Sequence, residues 1–359
     1  MDNFDIGKAV RDAIDESLRR RGRANVLLAG RSGVGKSTLI NAVFGHKLAE
    51  TGQGRPVTST TREYAKEGVA VTLFDTRGLE MDRYGETLAE LERFTRERGS
   101  SLDPNQHIHL AWVCLAEDSR RVEEGESRTV STLAKHMPVI GVITKARCDD
   151  GFREVVQDLL PEARGVVRVR ARGQVDDDGH RLEPSGLQEL VDLSMELIPE
   201  GQRDALAAAQ RVSLKQKQVR AQMIVGSAAI AAGAIGVAPI PFSDAIAIVP
   251  IQISMLAGIS GVFGLEVSTA FISTLASAAF TAVAATLSGR TIVAGLLKLV
   301  PGANIIGGVI AGASAASITT VFGEAYIGTL SALIDTGSKF PASEQVIEAF
   351  VDKIKNKRA

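Results

Sequence analysis

Clustered glycines followed by a lysine and a hydroxyl are the first chemistry this chain offers. Gly30, Gly35, Lys36 and Ser37 keep the spacing G-x-x-x-x-G-K-S inside the stretch from Val26 to Asn41. Glycines let successive backbone N–H groups turn inward as an anion nest. A helix starting behind them adds its positive end. Arg31, Ser32, Gly33, Val34, Gly35, Lys36, Ser37 and Thr38 therefore read as a phosphate cradle. In it Lys36 reaches the outer phosphates and the Ser37 hydroxyl holds Mg2+. The apolar run Val26–Ala29 in front reads as a strand, and 36–44 behind as a helix.

Two further segments join that chemistry. Asp75-Thr-Arg-Gly78 follows the apolar run Val69–Phe74, so a carboxylate ends a strand. Asp75 there would hold Mg2+ through water, and the Gly78 N–H would bond a terminal phosphate present only before hydrolysis. Thr144-Lys-Ala-Arg-Cys-Asp-Asp150 follows Val139–Ile143 and resembles the guanine-reading pattern T/N-K-x-D. Thr144 and Lys145 fit it, with the lysine stem along the base. The fourth residue is Arg147, which has donors only and cannot accept the two N–H groups of guanine. Asp149 or Asp150 would have to swing in, or base selectivity is relaxed. Arg170-Ala171-Arg172 stands where a second base-contacting loop would lie.

Together these residues resemble the translation-factor-related GTPases, near the Era-like and septin-like branches, over residues 24–200. His109–Cys114, Arg121-Val-Glu123 and the tail containing Pro241-Phe-Ser-Asp244 resemble bacterial GTPases with a C-terminal helical domain of unknown function. Those are distant relatives of immunity-related GTPases. The resemblance implies GTP/GDP and Mg2+ as cofactors, slow hydrolysis and membrane association. It also implies a threonine of the first switch completing the metal shell. Thr58 is the first choice and Thr61 the alternative, both in Gly54–Arg62. Lys36 and Thr58 are then the expected catalytic residues, and Ser37, Thr58 and Asp75 the metal set. Leu79 stands where Ras-like members orient water with glutamine, and leucine cannot do so. Acceleration then needs a partner or self-association across the nucleotide face, with Arg62, Arg77 and Glu80 as contributors. Gly33 replaces the asparagine of potassium-stimulated members.

Such loops need several strands ending at one edge. Strand patterns fall at 25–30, 69–75, 108–115, 139–144 and 166–170, and helix patterns at 36–44, 85–98, 126–136, 151–159 and 186–197. This alternation predicts an α/β fold, a mostly parallel sheet with helices on both faces. Residues 173–186 read as a surface loop. Residues 1–23 hold an amphipathic helix, expected to pack on the main domain or to meet a membrane or partner. His107 and His109 flank a strand and read as structural.

The second half changes character. A basic connector helix, 201–220, leads into 221–359, an all-α hydrophobic domain with a charged last helix. Ala221–Ile334 carries five charges in 114 residues: Asp244, Glu266, Arg290, Lys298 and Glu324. Its charge-free runs, 221–243, 245–265, 267–289 and 299–323, are each long enough to cross a bilayer. Small residues suit close helix packing in lipid. A membrane lipid partner at the cytoplasmic face is therefore expected; the alternatives are hairpin insertion or a soluble GTPase with a helical-bundle tail. Net charge of −1 gives no reason to expect a nucleic-acid partner. Two cysteines without metal spacing fit a reducing compartment. Other readings are a nucleotide-dependent assembly module with negligible turnover, prompted by Leu79, and an ATP-binding protein, prompted by Arg147.

Overall fold

The computed structural model describes residues 6–45, 55–56, 58, 61–65, 70–76, 84–175, 179–236, 244–265, 267–287, 306–335 and 341–356. The chain divides into two compact units, Gly22–Gln216 and a second made of Met1–Arg21 with Lys217–Ala359.

The first unit is built on a seven-stranded sheet. Its strands are β1 (Ala24–Ala29), β2 (Arg55–Pro56), β3 (Thr61–Ala65), β4 (Val71–Thr76), β5 (Leu110–Ala116), β6 (Val139–Thr144) and β7 (Val166–Arg168). The spatial order is β2-β3-β4-β1-β5-β6-β7. Pairings from β4 through β1, β5 and β6 to β7 are parallel, and β2 and β3 add an antiparallel edge. β1, β5 and β6 are buried almost throughout and nearly unbroken in apolar residues, as strands covered on both faces require.

Alternate residues face opposite layers. Leu27, Phe74, Val113 and Ile143 pack with α3 (Tyr84–Gly99), α4 (Glu124–Leu133) and α5 (Phe152–Leu159) through Leu91, Phe94, Val130 and Val156. On the other face Trp112 stacks on Phe44 of α2 (Lys36–Phe44), ring centroids 6.0 Å apart. Its indole N–H donates to Ser194 of α6 (Leu187–Leu197) at 3.0 Å. Parallel pairing brings the C-terminal ends of β1, β4, β5, β6 and β7 to one edge, where such sheets place ligands. Residues 173–186 contain a small hairpin, β8 (Gln174–Val175) with β9 (Arg181–Leu182).

The expected helix at 201–220 is divided. α7 (Glu200–Ala209) stops, and α8 (Leu214–Gly236) begins after a turn closed by one side chain. The Gln210 amide accepts from the N–H groups of Val212 and Ser213 and donates to the Ser213 carbonyl. A local amide bond competing with the helical ladder explains the break.

The second unit contains α1 (Ile6–Arg21), most of α8, α9 (Asp244–Phe263), α10 (Thr269–Leu287), α11 (Ile306–Asp335) and α12 (Ser343–Asn356). Gln218 bonds Ser331, and Gly323 lies against Val225, so α8 and α11 run antiparallel. α9 runs with α11, joined by Gln252–Thr319 and by a Ser260–Tyr326 hydroxyl pair at 2.8 Å. α1 packs on α9 and α10 of the helical unit, which corrects the first expectation that it packs on the main domain: its amphipathic face finds apolar partners in the later helices. Phe350 of α12 rests against Phe322 and Tyr326. Among the described residues one helical stretch, Ala315–Asp335, is long and apolar enough to cross a bilayer, and 44% of it is buried within the protein.

Candidate functional site

The glycine loop expected to cradle phosphates lies between β1 and α2. Gly30 has φ +141, and a Cβ there would run into the Cys114 carbonyl oxygen of neighbouring β5. Gly33 and Gly35 are also left-handed, at φ +78 and +103, which only glycine adopts at little cost. Lys36 is buried, its ammonium donating to the carbonyls of Gly30 (2.8 Å) and Arg31 (3.1 Å). The loop thus curls around the lysine. Ser37 is exposed at the start of α2, with Thr38 half-buried beside it. Arg31 leaves the loop to pair with Glu123 at the start of α4.

Asp75, near the end of β4, comes within 4.0 Å of the Lys36 ammonium. Burial raises its pKa; the Lys36 charge and then Arg62, its cross-strand neighbour on β3, oppose that shift. Burial outweighs both cations. Asp75 Oδ1 is buried and has no hydrogen-bond partner among the described residues. A desolvated oxygen beside the Lys36 ammonium suits a divalent cation, whose charge would reverse the shift. The donor set of Ser37 and Asp75 is the hard-oxygen type that Mg2+ takes.

Thr58 accepts a hydrogen bond from the Thr61 N–H at 2.9 Å and closes the turn into β3. Thr61 is buried within β3, opposite Thr76, and its hydroxyl has no partner among the described residues. Gly78, Arg77, Leu79 and Glu80 lie outside the described residues.

The base end is assembled from three loops. The Thr144 hydroxyl is bonded to the Val34 carbonyl of the phosphate cradle and to the Leu115 carbonyl at 3.0 Å. Lys145 is left-handed at φ +56. Ala146 is tied to the loop holding Ala171: its N–H reaches the Val169 carbonyl at 3.2 Å, and its carbonyl accepts from Arg170 at 2.8 Å. Arg147 turns its guanidinium to Gln174, 3.2 Å away.

Sequence reasoning missed the clamp on this end, Glu117 to Arg120. Glu117 is buried; its carboxylate accepts the N–H groups of Arg147 and Cys148 (3.0 Å) and the Arg168 guanidinium (2.7 Å). Asp118 pairs with Lys145 at 3.1 Å, and Arg120 donates to the Asp149 carbonyl at 2.6 Å. A signal was present: Glu117-Asp118 ends β5 as Asp75 ends β4. Beside the cradle a cleft of about 650 Å³ is lined by Arg31, Tyr84, Arg121, Glu123 and Arg128, among others.

His109 is structural. Its Nδ1 accepts the Asn25 N–H at 3.0 Å, so Nε2 donates to the Pro104 carbonyl at 2.9 Å. Burial lowers its pKa.

Comparison with known proteins follows the same division. Residues 25–145 match the model of the 50S ribosome-binding GTPase family, and residues 201–356 match a domain of unknown function, DUF697. The tRNA modification GTPase MnmE of Cupriavidus metallidurans is 36% identical over 170 residues, 46% of this chain and 30% of that protein. MnmE of Pasteurella multocida is 30% identical over 162 residues, 44% of this chain and 31% of that protein. The chain thus spans about a third of the length of these relatives. Toc33 from Arabidopsis thaliana, solved as a dimerization-deficient mutant, is similar at 16% identity and a TM-score of 0.33 over 55% of this chain and 92% of that one. By the family model over residues 25–145 and the MnmE relatives, the sheet unit is similar to P-loop GTPase domains, which bind and hydrolyse GTP.

Proposed function

We propose that the chain is a Mg2+-dependent GTPase switch that acts at the cytoplasmic face of a membrane, in the Era-like and septin-like part of the GTPases. One observation carries the nucleotide reading. Neighbouring parallel strands β1 and β4 bring a glycine cradle and Asp75 together, with the Lys36 ammonium 4.0 Å from the carboxylate. Lys36 and the inward N–H groups hold the phosphates, and Ser37 and Asp75, with Thr58, hold Mg2+, which supplies further charge stabilisation. Thr144 and Lys145 seat the base, with Ala171 beside them.

The reaction is transfer of the terminal phosphoryl group to water. Lys36 stabilises the charge that develops on the phosphate oxygens. Leu79 offers no hydrogen bond to the attacking water, so turnover is slow for a single copy. A second copy across the nucleotide face, or another partner, supplies the missing group. A rise in turnover per molecule with protein concentration is the expected sign.

The helical unit supports the membrane part. Met223 and Ile230 on α8, and Ile318 and Val321 on neighbouring α11, are exposed in stretches without charge. Lipid is the proposed partner of that surface. The test is single-turnover hydrolysis of bound GTP, followed by liposome flotation of full-length protein loaded with GDP or a non-hydrolysable GTP analogue. Hydrolysis with flotation supports the reading. Bound GTP that persists for hours at high protein concentration would leave an assembly module without turnover. Failure to float in either state would remove the membrane part.

A further inference from the structure

We infer that Asp118 is the carboxylate that reads guanine, replacing the acceptor that Arg147 cannot provide; this rests on the GTP-binding reading above. Guanine presents two neighbouring donors, N1–H and the 2-amino group, whereas adenine presents an acceptor at N1. A carboxylate matches the first and repels the second.

Four carboxylates stand around the base loop, each is paired, and the identity of the partner separates them. Glu117 is buried and already accepts two backbone N–H groups and a guanidinium. Asp149 caps α5 by accepting the Arg153 N–H at 3.0 Å and pairs with Arg168 at 3.3 Å. Asp150 pairs with Arg120 at 3.1 Å, and Arg120 also grips the Asp149 carbonyl. Moving Asp149 or Asp150 to the base would break that cap or that grip.

Asp118 is placed differently. Its partner is Lys145, 3.1 Å away, and its side chain is 64% exposed. It extends from the C-terminal edge of β5, between the loops after β1 and β6. Lys145 is the residue whose stem lies along the base in the proposed site. Its ammonium therefore keeps the Asp118 carboxylate beside the position of the base. Glu117, one residue earlier, fixes the backbone of the loop after β6 through the N–H groups of Arg147 and Cys148. The pair divides the work: Glu117 positions, Asp118 reads.

The experiment is a specificity exchange in the full chain. Asparagine keeps one acceptor and adds a donor, which suits xanthine, whose C2 carries a carbonyl. Wild type and Asp118→Asn, Asp149→Asn and Asp150→Asn are compared for binding of GTP, XTP and ATP with Mg2+. Asp118→Asn should lose about 10–100-fold in GTP affinity, the range for hydrogen bonds to a charged group, and gain XTP binding. The other two variants should keep the preference for GTP. Asp118→Ala, which tests the same exposed position, should weaken GTP without gaining XTP. Unchanged GTP preference in both Asp118 variants overturns the assignment, as does an exchange at Asp149 or Asp150. Wild type that binds none of the nucleotides overturns the GTP reading itself, and this assignment with it.

Discussion

The two units are held together by different physics. At the functional edge of the sheet unit, directional bonds fix the loops. Lys36 gathers two carbonyls, Thr144 links cradle to base loop, and Glu117 holds two backbone N–H groups. The helical unit is fixed largely by fit. Gly258 lies against Ile224, and a Cβ on Gly323 would meet the Met255 sulfur at 3.0 Å as well as Val225. Polar pairs such as Ser260–Tyr326, Gln252–Thr319 and Gln218–Ser331 add to that fit. Hydrogen bonds hold loops to one geometry, whereas small-residue contacts also permit packed helices to slide by small amounts. Chemistry belongs in the first kind of region and adaptable contact in the second.

The sharpest separation should come from Lys36→Ala. GTP affinity should fall roughly 10–100-fold and turnover about 10²–10³-fold. Melting of the helical unit should not move, and a shift there would show that the two kinds of order are coupled. The converse is Gly323→Val, which overfills the α8–α11 contact. A loss of about 1–3 kcal/mol in chemical denaturation is expected, confined to the helical unit. Nucleotide affinity should be unchanged.

The smallest effect tests one directional bond in the sheet unit. Burial depresses the His109 pKa, so folding favours the neutral ring. That stability is present above the ordinary value of 6.5 and is lost as pH falls below it toward the lowered value. Thermal unfolding at pH 7.5 and 5.5 should show wild type losing more than His109→Gln, which cannot become charged. Equal losses would remove His109 from the pH dependence. Asp75 has the opposite sign, since its raised pKa favours folding with the proton on, so only the difference between the two proteins isolates the histidine.

Much of the sheet unit was legible because period and motif coincide. Val26–Ala29, Val139–Ile143 and the glycine spacing name both an element and its task. The β2–β3 edge was not, because Arg55–Pro56 is two residues long and Thr61–Ala65 is polar and half-exposed. The Glu117–Arg120 clamp was hidden for another reason: it acts on residues 27 to 51 positions later, across the sheet. In the helical unit a charge-free composition announced helices but not their partners. Amphipathicity shows that α1 buries a face; it does not say against what.

The membership of α1 in the helical unit has a consequence for synthesis. The sheet unit, Gly22–Gln216, interrupts the helical unit in sequence. Val10, Ala13 and Ile14 leave the ribosome long before α9 and α10 exist to cover them. At typical rates of elongation that wait is on the order of ten seconds or more. The sheet unit can fold within that interval, while the first helix keeps its apolar face open until the last third of the chain arrives. A chaperone that binds short amphipathic segments would find its substrate in that interval, and release would coincide with closure of the bundle.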